Sequence, residues 1–347
     1  MYTRRLLPQR DEPVEAGKPI QGTWTSPFEK VDLLAVDRPY RILFPAWILD
    51  FRLKEWQAFT VQDDHILMEV IIANMKFFCF AEVVFFNKQS KEKMHVFKTR
   101  PFSAWRMPQS LNNAVIDQAC GGFSFCIHNC FVSRKVTLKL SIDSAIERPL
   151  FRADFVFDLD LKKSTPLAVN LFIAENRSMY ILKNFSGIEG NIIWGDSAMT
   201  LHEESAGGLF RDCKGFIPYH SNYINCRAFG FDAGGRRFGF SLGENIARKL
   251  NVNNENALWL DGTLTPLPPV RITGAEHGEF VIQDIEGMVD LNFKLTEDTN
   301  TPLDLLFISM ERSCSIGLFN GMVMTQKGEK LTVRNVMGIL ENFKFKL

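Results

Sequence analysis

The chain has 347 residues, 46% hydrophobic and 23% charged, a globular composition long enough for two packed units and unlike that of a disordered polymer. Forty Lys and Arg balance forty Asp and Glu, so the formal net charge is zero and nothing in the composition calls for nucleic acid or an anionic membrane, although folding can still gather a local patch. Phe is the unusual count, 31 against 5 Tyr and 6 Trp, an apolar aromatic load suited to cores or to the wall of an apolar cavity.

In chain order, residues 1–17 are charged and lack the apolar run of a signal peptide. The most apolar stretch, 66–86, is interrupted by Glu69, Asn74, Lys76 and Glu82, so it reads as two buried strands and not as a membrane-spanning segment. Residues 109–118 and 244–250 read as short helices. Val136, Leu138, Leu140 and Ile142 alternate with Thr137, Lys139 and Ser141. Phe151, Ala153, Phe155, Phe157, Leu159 and Leu161 likewise share one face opposite Arg152, Asp154, Asp158 and Asp160, a period of two that only a strand with one dry face produces.

A change of unit is expected at 165–185, giving two units, 1–175 and 176–347. Hairpins then follow at Asp232-Ala233-Gly234-Gly235, at Asp261-Gly262 and at Gln326-Lys327-Gly328-Glu329, where glycine supplies the positive φ of a tight turn. Residues 265–269 form a proline-marked connection. Val289, Leu291, Phe293 and Leu295 alternate with polar residues, as do Phe343, Phe345 and Leu347. No short repeat is present, which excludes a propeller or solenoid. So many antiparallel strands must close into barrels or stack as sandwiches to cover their edges.

Residues able to carry chemistry are few. Cys126, His128 and Cys130 fall on one strand face, but i and i+2 lie ~6–7 Å apart and no second Cys/His cluster completes a ligand set, so no metal is expected. With seven Cys, no framework spacing and no leader, the thiols are expected reduced and the chain cytoplasmic. Cys213 between Asp212 and Lys214 reads as incidental. Ser241-Leu242-Gly243 lacks the flanking glycines of a nucleophile elbow, and Gly230, Gly234, Gly235 and Gly239 fall in a hairpin, not before a phosphate-binding helix. The densest polar and aromatic segment is RDCKGFIPYHSNYINCR, 211–227, in which Asp212, Tyr219, His220, Tyr223 and Asn225 either project into an apolar cavity or form a solvent-facing strand. Glu255, between Asn254 and Asn256, enters the apolar run 257–260 and is a candidate acid or base.

These segments, in this order, resemble the uncharacterised bacterial family catalogued as domain of unknown function 2804. The resemblance rests on Trp24-Thr25-Ser26-Pro27-Phe28, Lys54-Glu55-Trp56, Tyr180-Ile181-Leu182-Lys183, Gly187-Ile188-Glu189-Gly190, Asp212 to Gly215, Pro218-Tyr219, Gly234-Gly235-Arg236-Arg237, Glu255-Asn256-Ala257-Leu258, Asp261-Gly262 and the hairpin at 321–341. The arginine and tryptophan that tend to follow the family's proline–tyrosine pair are replaced here by His220-Ser221-Asn222-Tyr223-Ile224. The family is in turn distantly similar to tandem lipocalin-like proteins, among them carotenoid hydratases and tocopherol cyclases. That similarity implies two antiparallel β-barrels, with β-sandwiches as the alternative, and an apolar or isoprenoid-like small molecule held in a barrel or at the junction, handled without a cofactor. The polar groups expected to act on it are Asp212, Tyr219, His220 and Glu255, and those expected to touch it are Trp56, Tyr180, Lys183, Tyr223, Asn225, Asn256 and Trp259. The competing readings are a carrier or interaction module with filled barrels and a carbohydrate-active β-sandwich with two acids in a cleft.

Overall fold

The computed structural model describes residues 2–244, 246–305 and 308–346. Three short strands, β1 (Val14–Glu15), β2 (Lys18–Pro19) and β3 (Gly22–Trp24), precede the one α-helix among the described residues, α1 (Ala46–Arg52). There follow β4 (Lys54–Gln62), β5 (Ile66–Asn74), β6 (Phe78–Asn87), β7 (Lys93–Pro101), β8 (Ala114–Cys120), β9 (Phe123–Cys130), β10 (Lys135–Ile142), β11 (Phe151–Asp158), β12 (Leu167–Ala174), β13 (Arg177–Trp194), β14 (Ser197–Leu201) and β15 (Gly207–Gly215). The remainder are β16 (His220–Phe231), β17 (Arg237–Glu244), β18 (Ala257–Leu260), β19 (Thr263–Pro266), β20 (Val270–Gly274), β21 (Glu279–Asp284), β22 (Val289–Leu305), β23 (Ile308–Met324) and β24 (Lys330–Lys346).

All strand pairs are antiparallel. The first sheet runs β7-β6-β5-β4-β15-β13-β11-β10-β9-β8, with β12 and β14 also on β13 and β3 on β12; the second runs β19-β18-β17-β16-β24-β23-β22-β21-β20. Each sheet curls around a core of its own, which is what barrel-like units do and a flat sandwich does not. The first core holds Phe59, Met68, Phe85, Leu138, Phe155 and Phe210; the second holds Phe238, Phe240, Ile282, Phe293 and Phe319. In the second sheet the edge strand β20 returns towards β17, where the Glu244 carboxylate accepts from the Ile272 amide at 3.0 Å. The all-β, two-unit architecture read from the sequence is therefore the observed one.

The alternating segments are strands with the expected dry faces: Phe151, Ala153, Phe155 and Phe157 are buried on β11, and Val136, Leu138, Leu140 and Ile142 on β10. Residues 66–86 form β5 and most of β6, as anticipated. All three hairpins form, with Gly235, Gly262 and Gly328 at φ 77°, 73° and 81°. Leu347 lies outside the described residues. Both helical expectations fail. Residues 109–118 form no helix, and 114–118 of them lie in β8, which pairs with β9; no helix forms among the described residues of 244–250, where Ala247 packs on Val169, Leu171 and Ile181. The chain also changes sheet between Gly215 and His220, not at 165–185, because β13 pairs with β11, β12 and β15 of the first sheet.

Every residue of β5 is buried, so both faces of this sheet are covered. One face lies on the first core. The other meets the second sheet, where Ile71, Ala73 and Phe80 join Met310 and Phe343, and Leu67, Val84 and Phe86 join Cys314, Ile316 and Ile339. Two glycines let rings cross this boundary. Phe229 of β16 lies over Gly207 of β15, where an added Cβ would come within 2.5 Å of the ring; Phe185 of β13 lies over Gly239 of β17, where the distance would be 2.6 Å. The two rings are 5.6 Å apart. Valine at Gly207 or Gly239 is therefore expected to lower stability by about 1–3 kcal/mol through overpacking of the boundary, read as a lower urea midpoint; an unchanged midpoint would contradict this packing.

Candidate functional site

Between the sheets lies a set of buried charges that crosses from one to the other. Adjacent residues on a strand face opposite ways, so Arg211 and Lys183, cross-strand partners on β15 and β13, both point at the second sheet, as do Glu69 and Glu82 on β5 and β6. The second sheet answers with Arg227 on β16, Arg312 on β23 and Glu341 on β24. Glu69 pairs with Arg227 at 2.7 Å and with Arg211, and Thr60 donates to it at 2.5 Å. Glu341 pairs with Arg227 at 3.0 Å and Arg312 at 2.5 Å, with Arg211 at 3.7 Å. Glu82 pairs with Arg312 at 2.9 Å and accepts from Thr301 at 2.6 Å beside His95. Burial opposes ionisation of Glu341, but Arg312, Arg227 and Arg211 outweigh it and hold the carboxyl well below the carboxylate range. Glu82 is lowered in the same way, burial being overcome by Arg312, His95 and Thr301.

At one end of this set is a second cross-sheet pair. Lys183 meets the Glu255 carboxylate at 2.8 Å and donates to the Glu255 carbonyl and to Ser241 Oγ, each at 3.0 Å. Glu255 is 0% exposed. Its loop is fixed by Asn254, whose carbonyl and side chain accept from Arg4 at 2.7 and 2.5 Å, and by Asn256, which accepts from the Gly243 amide at 2.7 Å and donates to the Pro268 carbonyl at 2.8 Å. Tyr223 donates its hydroxyl to Glu255 Oε2 at 3.0 Å. Burial and the Glu255 carboxylate hold this phenol protonated, its pKa well above 10, while burial lowers the Lys183 pKa against the pull of Glu255.

The Tyr223 ring forms part of the wall of a cleft between the sheets, with Trp56, Ile71, Phe80, Met179, Phe343 and Phe345 as apolar neighbours and Arg211 and Glu341 as polar ones. The cleft is narrow, with a cavity volume of about 30 Å³, so a ligand larger than a few atoms enters only if its side-chain walls move apart. Glu255 and Lys183 do not line it, so Tyr223 links that carboxylate to the cleft. Arg211 Nε is buried without an acceptor among the described residues, a donor left open beside the same space.

The residues singled out from the sequence thus separate. Tyr223 and Trp56 line the cleft, and Glu255 and Lys183 lie behind Tyr223 without reaching it. Asp212, although next to Arg211, points the other way, into the first core, where Oδ1 accepts from Gln57 at 3.0 Å and Oδ2 has no partner among the described residues. Tyr180 faces that same core, its ring 5.6 Å from Phe28. Tyr219 and His220 do not project into a cavity: they lie at the surface, edge to face at 4.8 Å, where β16 only begins to pair with the end of β24. Asn225 is occupied by the charge set, donating to Glu341 and accepting from Arg227. Trp259 is a packing residue whose indole donates to the Thr165 carbonyl at 2.8 Å, and Asn256 is a loop clamp. Cys126, His128 and Cys130 share the outer face of β9, and among the described residues no three His, Cys, Asp or Glu side chains gather at one point. Arg211, Arg227, Arg312, Glu69, Glu82 and Glu341 were missed; for Glu69 and Glu82 the available signal was a lone charge inside an apolar strand run.

Three outcomes follow from these charges. Glu341→Gln leaves three buried guanidinium groups short of a counter-charge and is expected to cost about 3–5 kcal/mol of unfolding free energy. Since the folded Glu341 and Glu82 have depressed pKa values, their contribution is full above the ordinary 4.5 and is lost as pH falls through the folded values, so acid unfolding should be steep below that point in the wild type and blunted in Glu341→Gln. Asp212 has the opposite sign. Burial raises its pKa from 3.8 to about 6, against Lys214 and Gln57 and with Glu55, so it favours the fold only at low pH and that benefit is lost as pH rises through about 6. Asp212→Asn should therefore stabilise the protein at pH 8, by up to about 3 kcal/mol, and have little effect at pH 4; denaturation at both pH values checks the sign.

No curated protein matches the chain at a significant level. Among solved structures it is similar to CghA, at 9% identity over 85% of this chain and 88% of that one, with a TM-score of 0.43. It is similar to kievitone hydratase from Nectria haematococca at 10% identity over 84% and 88%, TM-score 0.47, and to a Nitrosomonas europaea protein given the name AttH at 11% over 87% and 96%, TM-score 0.45. A family model described as a domain of unknown function, DUF2804, matches residues 11–347, and the chain belongs to that family.

Proposed function

We propose that the chain binds an apolar, isoprenoid-like small molecule carrying one oxygen function in the cleft between its sheets, and that Tyr223, backed by Glu255 and Lys183, gives it cofactor-free isomerase, hydratase or cyclase chemistry. The observation that carries this reading is the join of an apolar-walled cleft to a buried acid–base pair through one hydroxyl. The Tyr223 oxygen donates to Glu255, which leaves its lone pairs facing a ligand hydroxyl; a proton taken from that hydroxyl or returned to a double bond passes along the same contact. Arg211 Nε offers a donor to a ligand oxygen. Positive charge developing on a polyene would meet the rings of Trp56 and Phe80. All seven thiols are free, which supports the cytoplasmic reading.

A carrier without chemistry is the second reading, favoured by the separation of Glu255 from the cleft by the Tyr223 ring. A carbohydrate site is disfavoured, since the one carboxylate that lines the cleft among the described residues, Glu341, is bound by arginines.

Titration with the apolar fluorophore N-phenyl-1-naphthylamine tests the binding. Saturable uptake is expected, and Met179→Trp, which fills the cleft, should weaken it about tenfold or more. Displacement by long-chain terpenoid alcohols should be stronger than by the parent hydrocarbons. Tyr223→Phe should keep most of the affinity while abolishing, by about 10²–10⁴-fold, turnover of any alcohol that the wild type converts. Absence of saturable binding, or binding indifferent to Met179→Trp, would overturn the site.

A further inference from the structure

The segment from Arg38 to Arg52 breaks the rule that apolar side chains seek cover. Leu43 is 79% exposed, Trp47 72% and Ile42 55%, and α1, whose sequence is AWILDFR, has no buried residue at all. The helix is held by a few side-chain contacts. Phe51 packs edge-on against Phe77 at 4.1 Å, and Asp50 pairs with Lys76 at 2.8 Å. Phe102, whose amide donates to the Phe77 carbonyl, is 73% exposed next to it. Scattered surface leucines need no explanation, but a tryptophan, two aliphatics and a phenylalanine raised on one short helix and its neighbouring turn form a patch that water disfavours.

The surroundings of this patch are cationic. Beside it lies an open hollow formed by Tyr40, Arg41, Phe172, Glu175, Arg177 and Arg248. Arg177 stacks 4.8 Å over the Tyr40 ring, Arg52 stacks on the same ring at 5.8 Å, and Arg177 Nε has no acceptor among the described residues. The nearby carboxylates Glu175 and Asp50 already hold Arg41 and Lys76. The chain as a whole is neutral, so this is a local concentration that composition hid. A second copy docking here would set arginines against arginines; an anionic surface would not.

We propose that this face docks on an anionic phospholipid bilayer, with Leu43, Trp47 and Phe102 entering the headgroup–acyl boundary, Arg177 and Arg248 meeting lipid phosphates, and Arg41 joining them by exchanging its exposed Glu175 partner for phosphate. Tryptophan is suited to that boundary, and basic residues beside a shallow apolar insertion give reversible, salt-sensitive attachment. The position also has a consequence for access. The turn that carries Phe77 begins at Met75, which lines the cleft, and the two are joined by a backbone hydrogen bond of 2.9 Å. A bilayer under α1 would therefore lie next to the cleft.

Flotation of the intact chain with vesicles tests this, using phosphatidylcholine alone and phosphatidylcholine mixed with phosphatidylglycerol, at low and high salt. Binding to the mixed vesicles, lost at high salt and absent with phosphatidylcholine alone, is the expected result. Leu43→Ser with Trp47→Ser, both exposed and so neutral for folding by circular dichroism, should lower partitioning about tenfold or more. Arg41→Glu with Arg248→Glu should lower it too, and reduce its salt dependence. No flotation, equal flotation with both vesicle types, or wild-type flotation by the Leu43/Trp47 variant would overturn the proposal. So would a wild-type dimer that the same variant turns into a monomer, which would assign the face to a second copy.

Discussion

Three arginines and three glutamates, all buried, meet where the two sheets face each other, and each sheet supplies part of what the other needs. Arg227 answers Glu69, Arg312 answers Glu82 and Arg211 answers Glu341, every one of these pairs crossing the boundary. Charges of this kind add little to stability when compared with well-packed hydrophobes, because desolvation cancels most of the Coulomb gain. Their effect is on specificity. A sheet sliding by one residue would bury an uncompensated charge, so relative position is fixed where apolar packing alone would tolerate a shift. The reciprocal fit of Phe229 over Gly207 and Phe185 over Gly239 adds shape to the same constraint.

That registration places the cleft. Where the charges pair and the rings interlock the sheets are closed; at Trp56, Tyr223 and Phe343 they part. Apart from Ser221, whose hydroxyl donates to the Pro218 carbonyl, the polar groups lining this opening belong to the charge set or are tied to its neighbour: Arg211 through Glu69 and Glu341, Tyr223 through Glu255 and Lys183. The Tyr223 hydroxyl is therefore held by a fixed partner, Glu255, and on the proposed reading this is the preorganisation that acid–base chemistry in an apolar pocket requires. The basic, aromatic surface around α1 is joined to the same cleft through Phe77 and Met75, which fits the proposed docking on a bilayer.

Much of the architecture was legible because most strands have one wet face. β9, β10 and β11 alternate cleanly, and the hairpins are marked by glycine at positive φ. β5 and β6 carry no alternation because both their faces are dry, and the charges within them, Glu69 and Glu82, read only as interruptions. Their partners lie from 142 residues away, for Arg211, to 230, for Arg312, and no local pattern links such positions. Tyr223, Lys183 and Glu255 could be picked out singly as polar groups in apolar settings, but not grouped. Asp212 shows the opposite error: one step along a strand from Arg211, it lies on the far side of the sheet. Helical expectations at 109–118 and 244–250 failed because strand pairing and burial outweigh local propensity, whereas α1, just after Pro45, was not anticipated.

A crystal structure of the chain grown with a terpenoid alcohol tests the central claim most directly. Density between Tyr223 and Phe343, with the alcohol oxygen within hydrogen-bond reach of the Tyr223 hydroxyl or Arg211 Nε, is the predicted result. Density confined to the hollow beside Leu182 and Asn184 at the mouth of the first barrel, with the cleft empty, would contradict it.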